Sequence, residues 1–261
     1  MKNRFVRFVL SVLVLSALTV RVGVGVAEPP PAPPAPGRPT IVLVHGAFAD
    51  ALGWQRLIPI LQRDGYEVLA VENPLASLGG DVDTTKRFLS GISGPIVLVG
   101  HSYGGAVITG AGAGNPNVKA LVYLAAFAPD SGEPIGAFGD KYPVDLNSAL
   151  KPDSAGFLYV DRARFRALFC ADVPEEDAKV AAVTQKPVHS SVFGASVPEA
   201  AWKTIPSWFL VSQEDHAINP DLERFYAKRM NAKTSEIKAS HVAFISHPDV
   251  VAKLIEQAAA K

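Results

Sequence analysis

Cysteine is almost missing from this chain. Among 261 residues the one cysteine is Cys170, so no intramolecular disulfide can form and a disulfide-stapled small fold is excluded. Cys170 lies in a helical-looking stretch, remote in sequence from the reactive motifs below. It reads as a small buried apolar residue and not as a nucleophile. An excess of charge of one sign is missing too. Lys+Arg (25) equals Asp+Glu (25), for a net charge of +0, which leaves no electrostatic footprint for nucleic acid or an anionic membrane surface. No His/Cys/Asp spacing suggests zinc, and no glycine-rich stretch carries the lysine of a phosphate-binding loop. The sequence therefore predicts no cofactor, no metal and no nucleic-acid partner. With 48% hydrophobic and 19% charged residues, the composition is globular, and the length suits one α/β domain.

The N-terminus reads as a targeting segment. Lys2, Arg4 and Arg7 precede an uncharged stretch from Phe8 to Val20, and Val22 to Ala27 follow with small residues. The apolar run is shorter than the ~20 residues a spanning helix needs. Gly25 and Ala27 stand where a signal peptidase accepts small side chains, so residues 1–27 are expected to be a signal peptide cut before Glu28. Export is the expected fate, with no stable membrane span after cleavage. Residues 28–38 are dominated by proline, which fixes φ and removes backbone donors. They read as a stiff linker. Residues 39–261 form the folded domain.

Within that domain apolar strands alternate with helical periodicity. Strands are expected at Thr40–Val44, Tyr66–Val71, Pro95–Val99, Val118–Leu124, Trp208–Val211 and Ser235–Ile237. Helices are expected at Trp54–Arg63, Asp81–Leu89, Tyr103–Ala113, Asp221–Met230 and Pro248–Ala258. Such alternation implies a mostly parallel sheet with helices on both faces. Residues from about 129 to 205 break the rhythm, with helical pieces at Arg162–Phe169 and Glu175–Thr184, and read as a cap inserted over a site.

One motif carries the chemistry. Gly100-His101-Ser102-Tyr103-Gly104-Gly105 fits G-x-S-x-G and lies where a strand turns into a helix. The turn is so tight that side chains two residues before and after the serine would clash. It lifts the Ser102 hydroxyl above the sheet edge, and the helix start offers backbone N–H groups, that of Tyr103 included, to a developing oxyanion. A serine nucleophile needs a base. Of the histidines after Ser102, His241 follows the last strand and precedes the last helix, so its loop emerges at the same edge of the sheet. His189 falls in the cap, His216 beside the candidate acid and His247 at a helix start. The acid should follow Trp208–Val211. Asp215 is the choice, Glu214 the runner-up and Asp130 a distant third. The second oxyanion amide is expected from the loop after the first strand, from Ala47 or else Phe48, with His45 structural beneath it.

Leu43-Val44-His45-Gly46-Ala47, Trp54, the Ser102 motif, the loop Ser212–Ile218 and Ser240-His241 together resemble the α/β-hydrolase superfamily. The likeness is strongest to its small esterase branch of bacterial carboxylesterases, pyrethroid hydrolases, plant methylesterases and hydroxynitrile lyases. It spans roughly residues 40 to 260. In that branch the acid is followed two residues on by a small or apolar residue, then Ile or Val. Asp215-His216-Ala217-Ile218 fits, favouring Asp215. The resemblance also implies an oxyanion hole of the Ala47 and Tyr103 amides. In the lyases of this branch a lysine follows the catalytic histidine. Here Val242 does, which favours ester hydrolysis. The expected substrate is a small to medium, mainly apolar ester. Hydroxynitrile lyase-like or cofactor-free haloperoxidase chemistry, or ligand binding without catalysis, are the alternatives. The cap aromatics Phe138, Tyr142, Phe157, Tyr159, Phe165, Phe169 and Phe193 are expected to form the cap's own core more than a substrate wall.

Overall fold

The computed structural model describes residues 37–261. The expected signal peptide and nearly all of the proline-rich linker lie outside the described residues. Six strands form one parallel sheet: β1 (Thr40–Val44), β2 (Val68–Val71), β3 (Ile96–His101), β4 (Val118–Leu124), β8 (Ser207–Ser212) and β9 (Lys233–Ile237), in the order β2-β1-β3-β4-β8-β9. Helices α1 (Ile58–Arg63), α2 (Leu78–Ser90), α3 (Tyr103–Ala111), α6 (Pro220–Arg229), α7 (Ala243–Ser246) and α8 (Pro248–Ala259) accompany it. This parallel sheet with its accompanying helices is the α/β architecture that the alternation of strands and helices implies.

Burial explains the strand sequences. Every residue of β1, β3 and β8 is buried, as strands covered on both faces must be. The edge strand β9 is exposed along most of its length and carries Lys233 and Glu236, which blunts edge-to-edge pairing. The chain runs from β1 outward to β2, then returns to place β3 on the other side of β1, where Val44 pairs with Gly100. The loops leaving β1 and β3 therefore meet where the strand order reverses, the crevice in which open α/β sheets bind ligands.

Several expected boundaries move. Trp54–Arg63 is not one helix. A 3₁₀ turn covers Ala51–Arg56, and α1 starts only at Ile58 with Pro59 in its first turn. Inside a longer helix the Pro59 ring would meet the carbonyl of Gln55 and leave it unpaired. Trp54, Leu57 and Leu61 are still fully buried. Helix α2 begins three residues earlier than its apolar pattern suggests, because Ser77 accepts a hydrogen bond from the Gly80 amide at 3.2 Å and caps it. The second strand is shorter than expected, and the third runs on through Gly100 and His101.

The segment between β4 and β8 holds α4 (Arg162–Phe169) and α5 (Glu175–Thr184) at the expected residues. It also contains an unexpected antiparallel sheet of β5 (Leu150–Pro152), β6 (Phe157–Val160) and β7 (Val188–His189). These strands span two to four residues, too few to show a period of two. Asp153 organises the β5–β6 turn by accepting from the amides of Ala155 (2.8 Å) and Phe157 (2.9 Å).

Candidate active site

Ser102 stands between the last residue of β3 and the first of α3. Its φ of 53° and ψ of −125° are unusual for a residue with a side chain, a strain of about 1–3 kcal/mol that the surrounding structure must hold in place. Tight packing does this. A Cβ on Gly100 would sit 2.6 Å from the Gly104 carbonyl oxygen, and one on Gly104 would overlap the Val44 carbonyl. The Ser102 carbonyl accepts from the amides of Gly105 (2.9 Å) and Phe127 (3.1 Å), and its own amide donates to Leu124 (3.2 Å). The elbow is thus tied to β4 on one side and pressed against the β1 loop on the other.

The loop after β8 brings Asp215 to His241. His241 Nδ1 lies 2.5 Å from Asp215 Oδ2, and both side chains are fully buried. Asp215 Oδ1 accepts from the backbone amides of Ala217 (2.6 Å) and Ile218 (2.9 Å). Hydrogen bonds to a charged group contribute about 1.5–3 kcal/mol each, so the carboxylate is well held. Glu214, its neighbour in sequence, is half-exposed and faces Lys238 at 3.5 Å. Asp130 lies elsewhere on the surface, paired with Lys203 at 2.5 Å.

The other ring nitrogen of His241, Nε2, is buried and finds no hydrogen-bond partner among the described residues. His241 and Ser102 line one cavity of about 240 Å³ together with Ala47, Phe48 and Tyr103. The serine hydroxyl and Nε2 are not hydrogen-bonded to each other here. In resting sites of this kind such bonds are often long and tighten when substrate binds. Tyr103 opens α3, where backbone N–H groups have no intrahelical acceptor, and Ala47 lies in the loop that Gly46 presses against the elbow. Both are buried. Phe48 takes a positive φ of 60° and also reaches the cavity.

Four further residues support this arrangement that the sequence does not single out. His101 brings Nε2 to 2.9 Å from the His241 carbonyl, with the two rings 4.5 Å apart. Burial first, and the nearby His241 second, drive its pKa far below the usual histidine value, so it is the neutral ring that donates. Asp81 accepts from the Tyr103 hydroxyl at 2.6 Å and from the Leu75 amide at 2.9 Å. Burial raises its carboxyl above the usual range. Asp172, in the cap, binds the Ser240 amide at 3.1 Å and the Ser240 hydroxyl, which fastens the residue before His241. Glu223, on α6, is buried beside Asp215. The signal for Glu223 was its place in sequence: it adjoins Leu222 and lies one helical turn from Tyr226 and Ala227, so it falls on the apolar stripe of its helix.

The remaining histidines stand apart. His45 is buried under the β1 loop and accepts from the Asn73 amide at 3.1 Å. His216 faces Asp145 at 3.2 Å, His189 caps a 3₁₀ turn in the cap, and His247 is half-exposed. Cys170 is buried at the end of α4, and burial pushes its thiol up to about 12. The cap aromatics divide between two tasks. Phe165 is buried in the cap, whereas Tyr142, Phe169 and Phe193 line the cavity. Among the described residues no group of three or more His, Cys, Asp or Glu side chains could hold a metal ion, and no helix is long and apolar enough to cross a membrane.

Comparison with known proteins agrees with this fold. Residues 41–254 match the alpha/beta hydrolase family. The chain is 27% identical to the alpha/beta hydrolase nvfD of Aspergillus novofumigatus, over 85% of this chain and 97% of that protein. It is 24% identical to polyneuridine aldehyde esterase of Rauvolfia serpentina, over 82% and 93%. Its backbone superposes on a pyrethroid hydrolase from Sphingobium faniae JZ-2 with a TM-score of 0.71 at 24% identity, covering 85% of this chain and 97% of that one. The chain belongs to the alpha/beta hydrolase family.

Proposed function

We propose that this protein is a carboxylic ester hydrolase that works through an acyl-enzyme on Ser102, with His241 as general base and Asp215 as the acid that orients it. The observation that carries the reading is the buried Asp215–His241 pair, whose histidine lines the same cavity as the strained Ser102 elbow and keeps Nε2 without a partner among the described residues. Ser102 attacks the ester carbonyl while His241 takes its proton. The tetrahedral oxyanion is received by the Ala47 and Tyr103 amides. His241 then protonates the departing alcohol, and the same histidine activates water to release the acid. Asp215 holds the Nδ1–H tautomer and stabilises the imidazolium.

The cavity walls support an uncharged substrate. Phe48, Phe127, Leu146, Phe169, Phe193 and Leu222 dominate them, and among the described residues no Lys, Arg, Asp or Glu takes part. A charged acyl or alcohol group would enter at the cost of its hydration, with no Lys, Arg, Asp or Glu among the described lining residues to offset it. Val242, next to His241, is buried and offers no cation to a leaving cyanide. The relatives named as esterases favour the same class. The pattern of residues 1–27 supports export by a signal peptide cut before Glu28. N-terminal sequencing of the protein recovered outside the cytoplasm tests that proposal, and an intact Met1 on exported protein would count against it.

The direct test is turnover of p-nitrophenyl esters of increasing acyl length by the wild type and by Ser102→Ala. Hydrolysis by the wild type alone is expected, fastest with short to medium chains. Equal turnover by the two proteins would overturn the reading.

A further inference from the structure

A second carboxyl is packed against Asp215. Glu223 lies in the first turn of α6, fully buried. Its Oε2 accepts from the Ser212 amide at 3.0 Å, which ties the helix to the end of β8. Its Oε1 is shut off from solvent and receives no N–H or O–H from the described residues. Ser212, whose amide Glu223 holds, also accepts the Asp215 amide on its carbonyl at 3.3 Å, so the tight turn after β8 sets the buried Asp215 carboxyl beside that of Glu223. Two carboxylates in contact in a dry site cannot both be ionised.

The donors decide where the charge goes. Asp215 receives three hydrogen bonds, from the Ala217 and Ile218 amides and from His241 Nδ1. Glu223 receives one. The negative charge therefore rests on Asp215 and the proton on Glu223, whose O–H gives Asp215 the fourth hydrogen bond that a carboxylate can accept. Burial first, and the charge of Asp215 second, hold the Glu223 carboxyl well above the usual range. Arg224 pulls the other way, but its guanidinium is spent on Glu236 (2.7 Å) and Asp221 (2.8 Å) at the surface.

We propose that Glu223 is a positioning residue, a neutral carboxylic acid that donates its O–H to Asp215 and so fixes the carboxylate that orients His241. The inference rests on the roles given above to Asp215 and His241. Glutamine can replace such a donor, because its amide oxygen accepts from Ser212 while its NH₂ donates to Asp215. Leucine can do neither.

The test combines kinetics with a readout that needs no turnover. Glu223→Leu should lower kcat about tenfold, equivalent to ~1.4 kcal/mol, with KM little changed. Glu223→Gln should bring kcat back to within about threefold of the wild type, with the acid limb of the kcat/KM–pH profile unmoved. Infrared difference spectra of wild type against Glu223→Gln, at neutral pH in D₂O, should show the C=O stretch of one protonated carboxylic acid in the wild type. Absence of that band overturns the proposal whatever the assay gives. So does a glutamine variant as impaired as the leucine variant, or one whose acid limb moves by about one pH unit, since Glu223 would then have carried charge. If Glu223→Leu does not fold, the glutamine variant and the infrared band decide. A band without ester turnover in the wild type would leave the neutral acid in place and overturn the esterase reading instead.

Discussion

The carboxyl edge of the large sheet and the cap above it enclose the same cavity with opposite kinds of structure. At the edge, backbone stands where side chains would otherwise go. A Cβ on Gly100 or Gly104 would run into carbonyl groups of α3 or β1. In the cap, a Cβ on Gly194 would meet nothing within 4 Å. The edge holds its reactive groups by buried hydrogen bonds: Asp215 on two amides, His241 on Asp215, His101 on the His241 carbonyl. The cap presents aromatic side chains from a helix (Phe169), a 3₁₀ turn (Phe193) and a loop (Tyr142), and touches the edge through a few polar contacts, Asp172 to Ser240 and the Leu146 amide to the His216 carbonyl at 3.1 Å. One region has a single geometry available to it, and the other can vary its side chains without moving the reacting atoms. Under the mechanism proposed above, chemistry would belong to the first and substrate choice to the second.

Substitutions can break this contrast or sharpen it. The largest effect is expected from Ser102→Ala, which should lower kcat/KM for an ester by ~10⁴-fold or more while leaving thermal unfolding near that of the wild type. Asp215→Asn comes next. It leaves His241 without a carboxylate at Nδ1 and should cost about 10³- to 10⁴-fold in kcat. Gly104→Ala should act on stability. The new methyl group meets the Val44 carbonyl in a rigid setting, and a loss of roughly 3 kcal/mol or outright misfolding is expected in denaturant melts. A Gly104→Ala protein as stable as wild type would mean that the elbow is not held by packing. Phe193→Ala, in the cap, should change kcat/KM by about tenfold or less, in a way that depends on acyl length, because a wall of the pocket is removed and no reacting group. Uniform loss across all esters would contradict the division of labour. Gly194→Ala is the control for Gly104→Ala and should stay within about 0.5 kcal/mol of wild type.

The difference between the regions also governs how readable each was. Strands β1, β3 and β4 and the turn after β3 announce themselves by unbroken apolar runs and by glycines next to a serine, features contained in a few consecutive residues. The cap helices α4 and α5 are legible for the same reason, through periodicity over eight to ten residues. Its three short strands are not, because each is too short to show a period and β7 joins β6 only by pairing with residues some thirty positions away. The break before α1 follows from Pro59, yet the apolar face of Trp54, Leu57 and Leu61 runs across it and hides it. The cap aromatics could not be sorted at all from spacing, since Phe165 and Phe169 share one face of α4, but only Phe169 reaches His241, at 5.0 Å between rings.

By itself the sequence determined the class of fold, the strand-turn-helix around Ser102 and the edge of the sheet at which His241 emerges. Local hydrophobic period and backbone sterics decide these, and both act within a few residues. Between Glu214 and Asp215 the sequence leaned to Asp215 only through the resemblance of Asp215-His216-Ala217-Ile218, and the physical difference between them is tertiary. Adjacent carboxylates are equivalent in spacing, and the fold alone turned one toward Lys238 and solvent and the other toward two amides and a buried imidazole. Only the tertiary structure, likewise, set Glu223 of α6 against Asp215, because its partner lies on a different loop. The ionisation of a buried acid depends on the donors around it, and those donors are gathered only by folding.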